Sequence, residues 1–497
     1  MSQSIWPWLV LMTSALPGLV IFFIPETRRT LRSLLNVGAA LVKLQLVGLL
    51  LLGLYAGESY HWQLPLLPGL TLSLKVDALA GLFLILSAVL WLLTTLYAIG
   101  YLEHSPHRSR FFGFFSLCVS ATAGVAMSAN LFTFVVFYEL LTLATWPLVV
   151  HRGTPQALAA GRVYLRYTLV SGSVLLLGAV TLHALVGTPE FVPGGYVSDA
   201  DVAQVWLWAV FVLLLIGLGV KAALVPLHGW LPRAMVAPAP VSALLHAVAV
   251  VKAGAFGIVR VMFEVFGIEF AADLGMADLL LGLAALTIVY GSWRALFESD
   301  LKKRLAFSTV SQVSYVALGV ALAGPLGAIG GLIHIVHQGV MKITLFLAAG
   351  NYAETLGVHK VSELSGVGRR MPWTTAAFTL GALGMIGFPP LAGFVSKWYL
   401  GLGAWEAEAN WVLAVLLVSG LLNAAYFLPL LYRAWFESPP AQWPQAQRLS
   451  RVFETHALLL FPPLVTASLV VLLGVLAGLN VTSLGWVQWL VKREFAL

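Results

Sequence analysis

Fourteen runs of predominantly apolar residues parse this chain, with approximate limits 5–24, 34–55, 76–100, 111–127, 131–150, 163–187, 203–231, 241–267, 276–296, 304–323, 325–350, 373–401, 410–435 and 456–478. A hydrocarbon layer ~30 Å thick is crossed by a helix of ~20 apolar residues, and only helices or closed barrels can pair all their backbone polar groups in lipid. The pattern predicts an all-α polytopic membrane protein of about 14 transmembrane helices. A hydrophobic content of 60% against 10% charged residues excludes ordinary soluble domains. The net charge of +7 does not point to nucleic acid, because the cations stand singly or in small groups between apolar runs, where they set topology.

Loops after runs 1, 3, 5, 9, 11 and 13 carry Arg28, Arg29, Arg32; Arg108, Arg110; Arg152, Arg162; Lys302, Lys303, Arg304; Lys360, Arg369, Arg370; and Arg433, Arg448, Arg451. Loops after runs 2, 6, 8 and 12 instead hold Glu58, Glu190, Asp199, Asp201, Glu269, Asp273, Glu406 and Glu408. Cytoplasmic loops hold the Lys and Arg excess, so a multi-pass protein of the cell membrane with both termini on the outer side is expected. The opening MSQSIWPWLV lacks a basic segment ahead of its apolar run, which suits a retained span. The stretch from Glu437 to Arg451 is too short to fold alone. After Asn480 the tail is amphipathic, with Trp486 and Trp489 near Lys492 and Arg493, and suits a membrane interface.

Two runs are too long and both are broken. Residues 203–231 contain Pro226, and 373–401 contain Gly387, Pro389, Pro390 and Gly393; Lys221 and Lys397 stand near the breaks. Each run is the fourth of a five-helix set, runs 4–8 and 9–13, and an odd helix count inverts the second set relative to the first. Interrupted segments at matching positions of inverted repeats point to a transport site. The expected organisation is residues 1–110 as helices 1–3, 111–267 as the first repeat, 276–435 as its inverted copy, and 436–497 as a loop, helix 14 and tail.

An ionisable side chain at mid-membrane costs ~2.5–3.5 kcal/mol on insertion scales and is a functional candidate by default. Lys221 and Lys252 flank a segment with four prolines, Pro226, Pro232, Pro238 and Pro240. Irregular backbone at this depth must be buried in protein or line a watery cavity. Glu139 sits mid-run with no cation nearby in its own helix, so Lys221 or Lys252 is its expected partner. His334, His337, Gln338, Met341 and Lys342 follow helical spacing and form one stripe. Two histidines without a third ligand make a poor metal site, whereas neutral imidazole both donates and accepts, which suits a proton relay. His246 and Lys252 are six residues apart and need water or a third group between them. Lys43 and Arg166 are expected to snorkel from span ends. His228 and Arg233 read equally as an entrance or as plain loop. The lone Cys118 allows no intrachain disulfide. No dinucleotide glycine fingerprint and no iron-sulfur cysteine set is present, so no cofactor is expected.

The segment LVPLHGWLPRAMVAPAPVSALLHAVAVVKAG, the Glu139 helix, HIVHQGVMKITLFLAAG and GFPPLAGFVSKWYL occur in this order. Together they resemble the antiporter-like subunits of respiratory complex I and of Mrp-type cation/proton antiporters, over runs 4–12. The resemblance implies 14 core helices, two inverted five-helix repeats and a polar axis across the membrane interior. It assigns Glu139 and Lys221 as a pair, Lys252 as a bridging lysine, His334 and His337 as central groups and Lys397 as the terminal lysine. Chain length and Lys397 are most similar to the D-type subunit of the Mrp antiporters, which implies further membrane subunits as partners and protons and Na+ as transported ions; because sodium takes several oxygen ligands and the spans offer few carboxylates besides Glu139, a sodium site shared with another subunit is expected. The alternative it implies is a proton-pumping subunit of a redox complex whose electron-transfer groups lie in partner proteins.

Overall fold

The structure, a computed structural model, describes residues 4–102, 105–187, 189–198, 201–444 and 453–495. Asp199, Arg448 and Arg451 therefore lie outside the described residues. The chain opens with α1 (Trp6–Phe22) and α2 (Arg29–Tyr55), passes through strands β1 (Tyr60–Leu67) and β2 (Leu70–Val76), and continues with α3 (Ala78–Tyr101), α4 (Arg108–Met127), α5 (Leu131–Val149), α6 (Pro155–Val186) and α7 (Gln204–Lys221). Two 3-10 turns, Leu227–Trp230 and Arg233–Val236, lead to α8 (Ala239–Ala247), α9 (Val250–Arg260) and α10 (Ile268–Asp273). The second half holds α11 (Met276–Phe297), α12 (Leu301–Ala321), α13 (Pro325–Leu356), α14 (Val367–Arg370), α15 (Pro372–Ile386), α16 (Ala392–Glu406), α17 (Asn410–Phe436), α18 (Ala457–Val475) and α19 (Ser483–Glu494).

This is an all-α polytopic membrane protein, with one small hairpin among the described residues. Eleven helical segments are long and apolar enough to cross a membrane, among the described residues. The other three apolar runs fall on the shorter α1, on α12, and on the broken pair α15 and α16. Several helices begin where a side chain caps the first turn: Asp77, Asn130, Thr154 and Asp300 each accept a hydrogen bond from the backbone N–H three residues on, a contribution of ~1 kcal/mol apiece.

The core is apolar, but apolar side chains also cover the outside and several charged ones are buried. Leu421 on α17 is 64% exposed while Lys252 on α9 is 0% exposed, as expected where lipid solvates aliphatic side chains and polar groups must find partners inside. Helix α13 is the hub: 32 residues, ~48 Å at 1.5 Å rise, with its membrane-length core wholly buried.

Two features differ from the sequence reading. Residues 60–76 form an antiparallel hairpin, Tyr60 opposite Val76, turned at Pro68 and Gly69 with Gly69 at φ +77°. The alternation in YHWQLPLL and LTLSLKV carried this signal, but it sits beside an apolar run that dominates any hydropathy window. His61 Nε2 reaches Glu190 Oε1 at 2.5 Å and fastens the hairpin to the loop after α6. The second difference is in run 241–267, which is a third broken crossing. It splits at Val248 and Ala249 into α8 and α9 and ends in a π-helical turn, Val261–Val265.

Candidate functional site

In the first half, α5, α6, α7 and α9 converge on Lys221, the last residue of α7 and fully buried. The chain turns immediately after it, with Ala223 in the left-handed region at φ +57°. Gly254 of α9 seats against this turn: a Cβ there would stand 2.2 Å from Ala222 N and 2.7 Å from the Lys221 carbonyl carbon. Lys221 Nζ donates to the backbone carbonyl of Tyr138 on α5 and lies 3.3 Å from the Tyr138 ring centroid. Glu139, the next residue, is half-buried; its Oε1 has no hydrogen-bond partner, and it forms no ion pair within 4.0 Å among the described residues. The expected Glu139–Lys221 contact is therefore open in this structure, although each group feels the other's charge. Gly172 of α6 makes room for the carboxylate, since a Cβ there would lie 2.1 Å from Glu139 Oε1.

At the centre, Lys252 is buried and its Nζ has no hydrogen-bond partner among the described residues. Its charge is felt by His334, His337 and Lys342 of α13. All four are fully buried and none forms an ion pair among the described residues. Like charges so placed cannot all be protonated together, so a proton arriving at one favours departure from another. His246, on the other side of the α8–α9 break, stacks on Phe346 at 4.4 Å with both ring nitrogens unpartnered.

The second half is wired by hydroxyls that sequence reasoning missed. Lys342 Nζ donates to Ser308 Oγ at 2.7 Å. Tyr426 Oη lies 2.8 Å from Ser308 Oγ and 2.6 Å from Asn423 Oδ1. Lys342 donates to Ser308, and the single hydroxyl hydrogen of Tyr426 is shared between two acceptors, Ser308 Oγ and Asn423 Oδ1. Asn423 Nδ2 then donates to the Met385 carbonyl at 3.3 Å. That carbonyl also accepts from Lys397 Nζ at 2.9 Å, beside Ile386 O at 2.8 Å. Lys397 thus caps the free carbonyls where α15 ends at Gly387, a favourable place for a cation. Its Nζ lies 5.6 Å from the Tyr315 ring, and His334 Nδ1 meets Ser396 Oγ, one residue before Lys397, at 2.8 Å. Neither His334 nor Lys397 turns its polar atoms to lipid.

Other buried charges differ in kind. Arg260 pairs with Asp77 at 2.7 Å and with Glu264 one turn on. This cluster of one guanidinium and two carboxylates ties the end of α9 to the cap of α3. Arg260 and Glu264 were not singled out in the sequence because opposite charges four residues apart near a run's end look self-compensating. Arg166 is exposed and His228 packs edge-on against Tyr290. Arg233 is likewise exposed. Lys43 corrects its expectation: it lies in the middle of α2, 0% exposed, and does not snorkel. No group of three or more His, Cys, Asp or Glu is placed to hold a metal among the described residues.

The profile described as "NADH:quinone oxidoreductase/Mrp antiporter, TM" matches residues 128–423, the region holding Glu139, Lys221, His246, Lys252, His334, His337, Lys342 and Lys397. The chain belongs to that family. A second profile, "NADH-Ubiquinone oxidoreductase (complex I), chain 5 N-terminus", matches residues 69–112. The NADH-quinone oxidoreductase subunit N of Desulforudis audaxviator is 36% identical over 81% of this chain and 82% of that protein. The D-type subunit of a Na(+)/H(+) antiporter from Alkalihalophilus pseudofirmus is 27% identical over 79% and 80%. A chain of the Mrp complex from Dietzia sp. superposes with a TM-score of 0.84 at 23% identity, covering 98% of each chain, which is a likeness of fold. The protein is thus a membrane subunit of the cation/proton antiporter type.

Proposed function

We propose that this chain is the proton-translocating subunit of a multisubunit monovalent cation/proton antiporter, with Na+ as the cation. Protons move along Glu139, Lys221, His246, Lys252, His334, His337, Lys342 and Lys397. The observation that carries the reading is the set of buried lysines and histidines without carboxylate partners, which is costly as structure and serviceable as a relay. Water fills the gaps, since direct transfer needs donor and acceptor within ~3 Å. The reading includes fourteen crossings, two inverted repeats at 111–267 and 276–435, helices 1–3 before them and helix 14 with the tail after. It places the loops rich in Lys and Arg in the cytoplasm of a cell-membrane protein, with both termini outside. Other membrane subunits complete the complex and share the sodium site.

A second reading, a proton-pumping subunit of a redox complex, is favoured by the 36% identity to an NADH-quinone oxidoreductase subunit against 27% to the antiporter subunit. Proton flux in vesicles bearing the purified complex separates the two. Antiport requires that a sodium gradient drive proton flux without any electron donor. Flux indifferent to sodium and dependent on electron transfer overturns antiport in favour of the redox pump.

A further inference from the structure

Lys43 is the one buried lysine in the first four helices, and the relay above does not use it. It lies on the buried stripe of α2 that also holds Arg32 and Asn36. Its Nζ donates to Ser14 Oγ of α1 at 2.9 Å and stands 5.4 Å from the Trp91 ring of α3. It forms no ion pair among the described residues. Polar groups continue from it toward the end of the bundle where α2 and α4 begin. Ser14 donates to Leu11 O at 3.3 Å, and Ser120 of α4 donates to the same carbonyl at 3.1 Å. One turn away, Ser116 donates to Asn36 Oδ1 at 3.3 Å, Asn36 Nδ2 to Arg32 O at 2.9 Å, and Arg32 to Ser109 Oγ at 2.9 Å. Arg32 ends 3.9 Å from the half-exposed Glu26.

The other wall of this column is unsatisfied. Ser87, Trp91 and Thr95 recur every four residues along α3, so they share a face. Ser87 Oγ, Trp91 Nε1 and Thr95 Oγ1 are buried without a hydrogen-bond partner among the described residues. Buried polar atoms are normally paired with protein or with ordered water, and a stripe of three beside an amine that lacks a counter-charge marks a hydrated seam.

The geometry points to a second proton-carrying site at Lys43, loaded from the Glu26 and Arg32 end through the serine and asparagine column. The ligand is the proton: the Lys43 ammonium releases one to water along the α3 stripe and the amine regains one from water on the Ser120 and Ser116 side. The inference rests on the proton-translocating reading above, whichever driving force applies.

The test compares vesicles bearing the whole complex with wild type, Lys43→Arg and Lys43→Met, using a sodium gradient and, separately, an electron donor. Wild-type flux under neither drive overturns the functional reading itself and leaves Lys43 to be judged on hydration alone. With wild-type flux present, a proton-carrying Lys43 predicts a loss of about tenfold or more in both assembled variants, because arginine keeps the charge and the donors but does not deprotonate. Full flux in assembled Lys43→Arg reduces Lys43 to a structural donor and overturns the site, as does full flux in Lys43→Met. Should neither variant assemble, a density map of the unmodified complex decides: ordered water against Ser87 Oγ, Trp91 Nε1 and Thr95 Oγ1 supports the seam, and a dry face overturns it.

Discussion

At the residue scale, what separates working from structural charge is compensation. Arg260 has Asp77 and Glu264 within contact, whereas Lys252 Nζ has no hydrogen-bond partner among the described residues. Breaking the first set strands a buried charge and costs several kcal/mol of stability; neutralising the second strands no partner. Glu139 stands between these cases, held apart from Lys221 with one oxygen unpaired. Glu139→Gln is expected to leave the complex assembled and to cut proton flux by at least ~100-fold, the scale on which proton-transfer groups act; wild-type flux in that variant would remove the residue from the relay. Gly172→Ala tests position in place of charge. The added methyl would meet a flexible carboxylate, not backbone, so stability should change by ~1 kcal/mol or less while flux falls, read by thermal melting beside vesicle transport. The sequence made Glu139, Lys221 and Lys252 legible because an ion within an apolar run is conspicuous. It misjudged Lys43, whose place in α2 was hidden because that helix begins at Arg29, five residues before the apolar run suggests.

At the element scale, the breaks set lysines against backbone carbonyls, from the broken helix itself at Lys397 and from a neighbouring helix at Lys221. Lys397 lies beyond the end of α15 and reaches back to two of its last carbonyls, while Lys221 closes α7 and reaches across to α5. Prolines and glycines announced both interruptions. The α8–α9 break had no such mark, since Val248 and Ala249 are ordinary residues whose kink is set by packing, with Gly339 of α13 pressed against Ala247 O. The hydroxyl chain was equally silent, because Ser308, Asn423 and Tyr426 look like scattered polar residues until α12 and α17 bring them together. Tyr426→Phe keeps the ring and deletes the link between Ser308 and Asn423. It should cost ~1–3 kcal/mol, the penalty for stranding buried polar groups, and lower flux by about tenfold or more. Unchanged transport in a stable Tyr426→Phe complex would show that protons pass Lys342 and Lys397 by water alone.

At the scale of the whole molecule, the termini of the two halves are strapped together by α19. Trp486 Nε1 donates to Ala78 O at the start of α3, Gln488 donates to Tyr399 Oη of α16, and Glu494 accepts from Gly194 N after α6. The amphipathic pattern of this tail was readable, but its docking was not, because hydropathy records which face is apolar and not what covers it. Glu494 ends the strap beside a cavity of about 350 Å³ lined also by Asp77, Glu264, Lys75 and Arg493. Burial first, and then the carboxylate of Glu264, push the Glu494 carboxyl up to about 7, against the opposing pull of Gly194 N–H and Arg260 and with Asp77 adding to the rise. A carboxyl raised in the folded state holds its proton better folded than unfolded. Its protonated form therefore favours docking below the ordinary carboxylate range, and that advantage is lost as pH climbs through about 7. The strap should loosen between roughly pH 5 and 8, seen as faster amide exchange across Ser483–Glu494 and a lower melting temperature. Glu494→Gln, which cannot ionise, should flatten both trends while leaving low-pH behaviour unchanged. An identical pH response in that variant would assign the loosening to another group around the cavity.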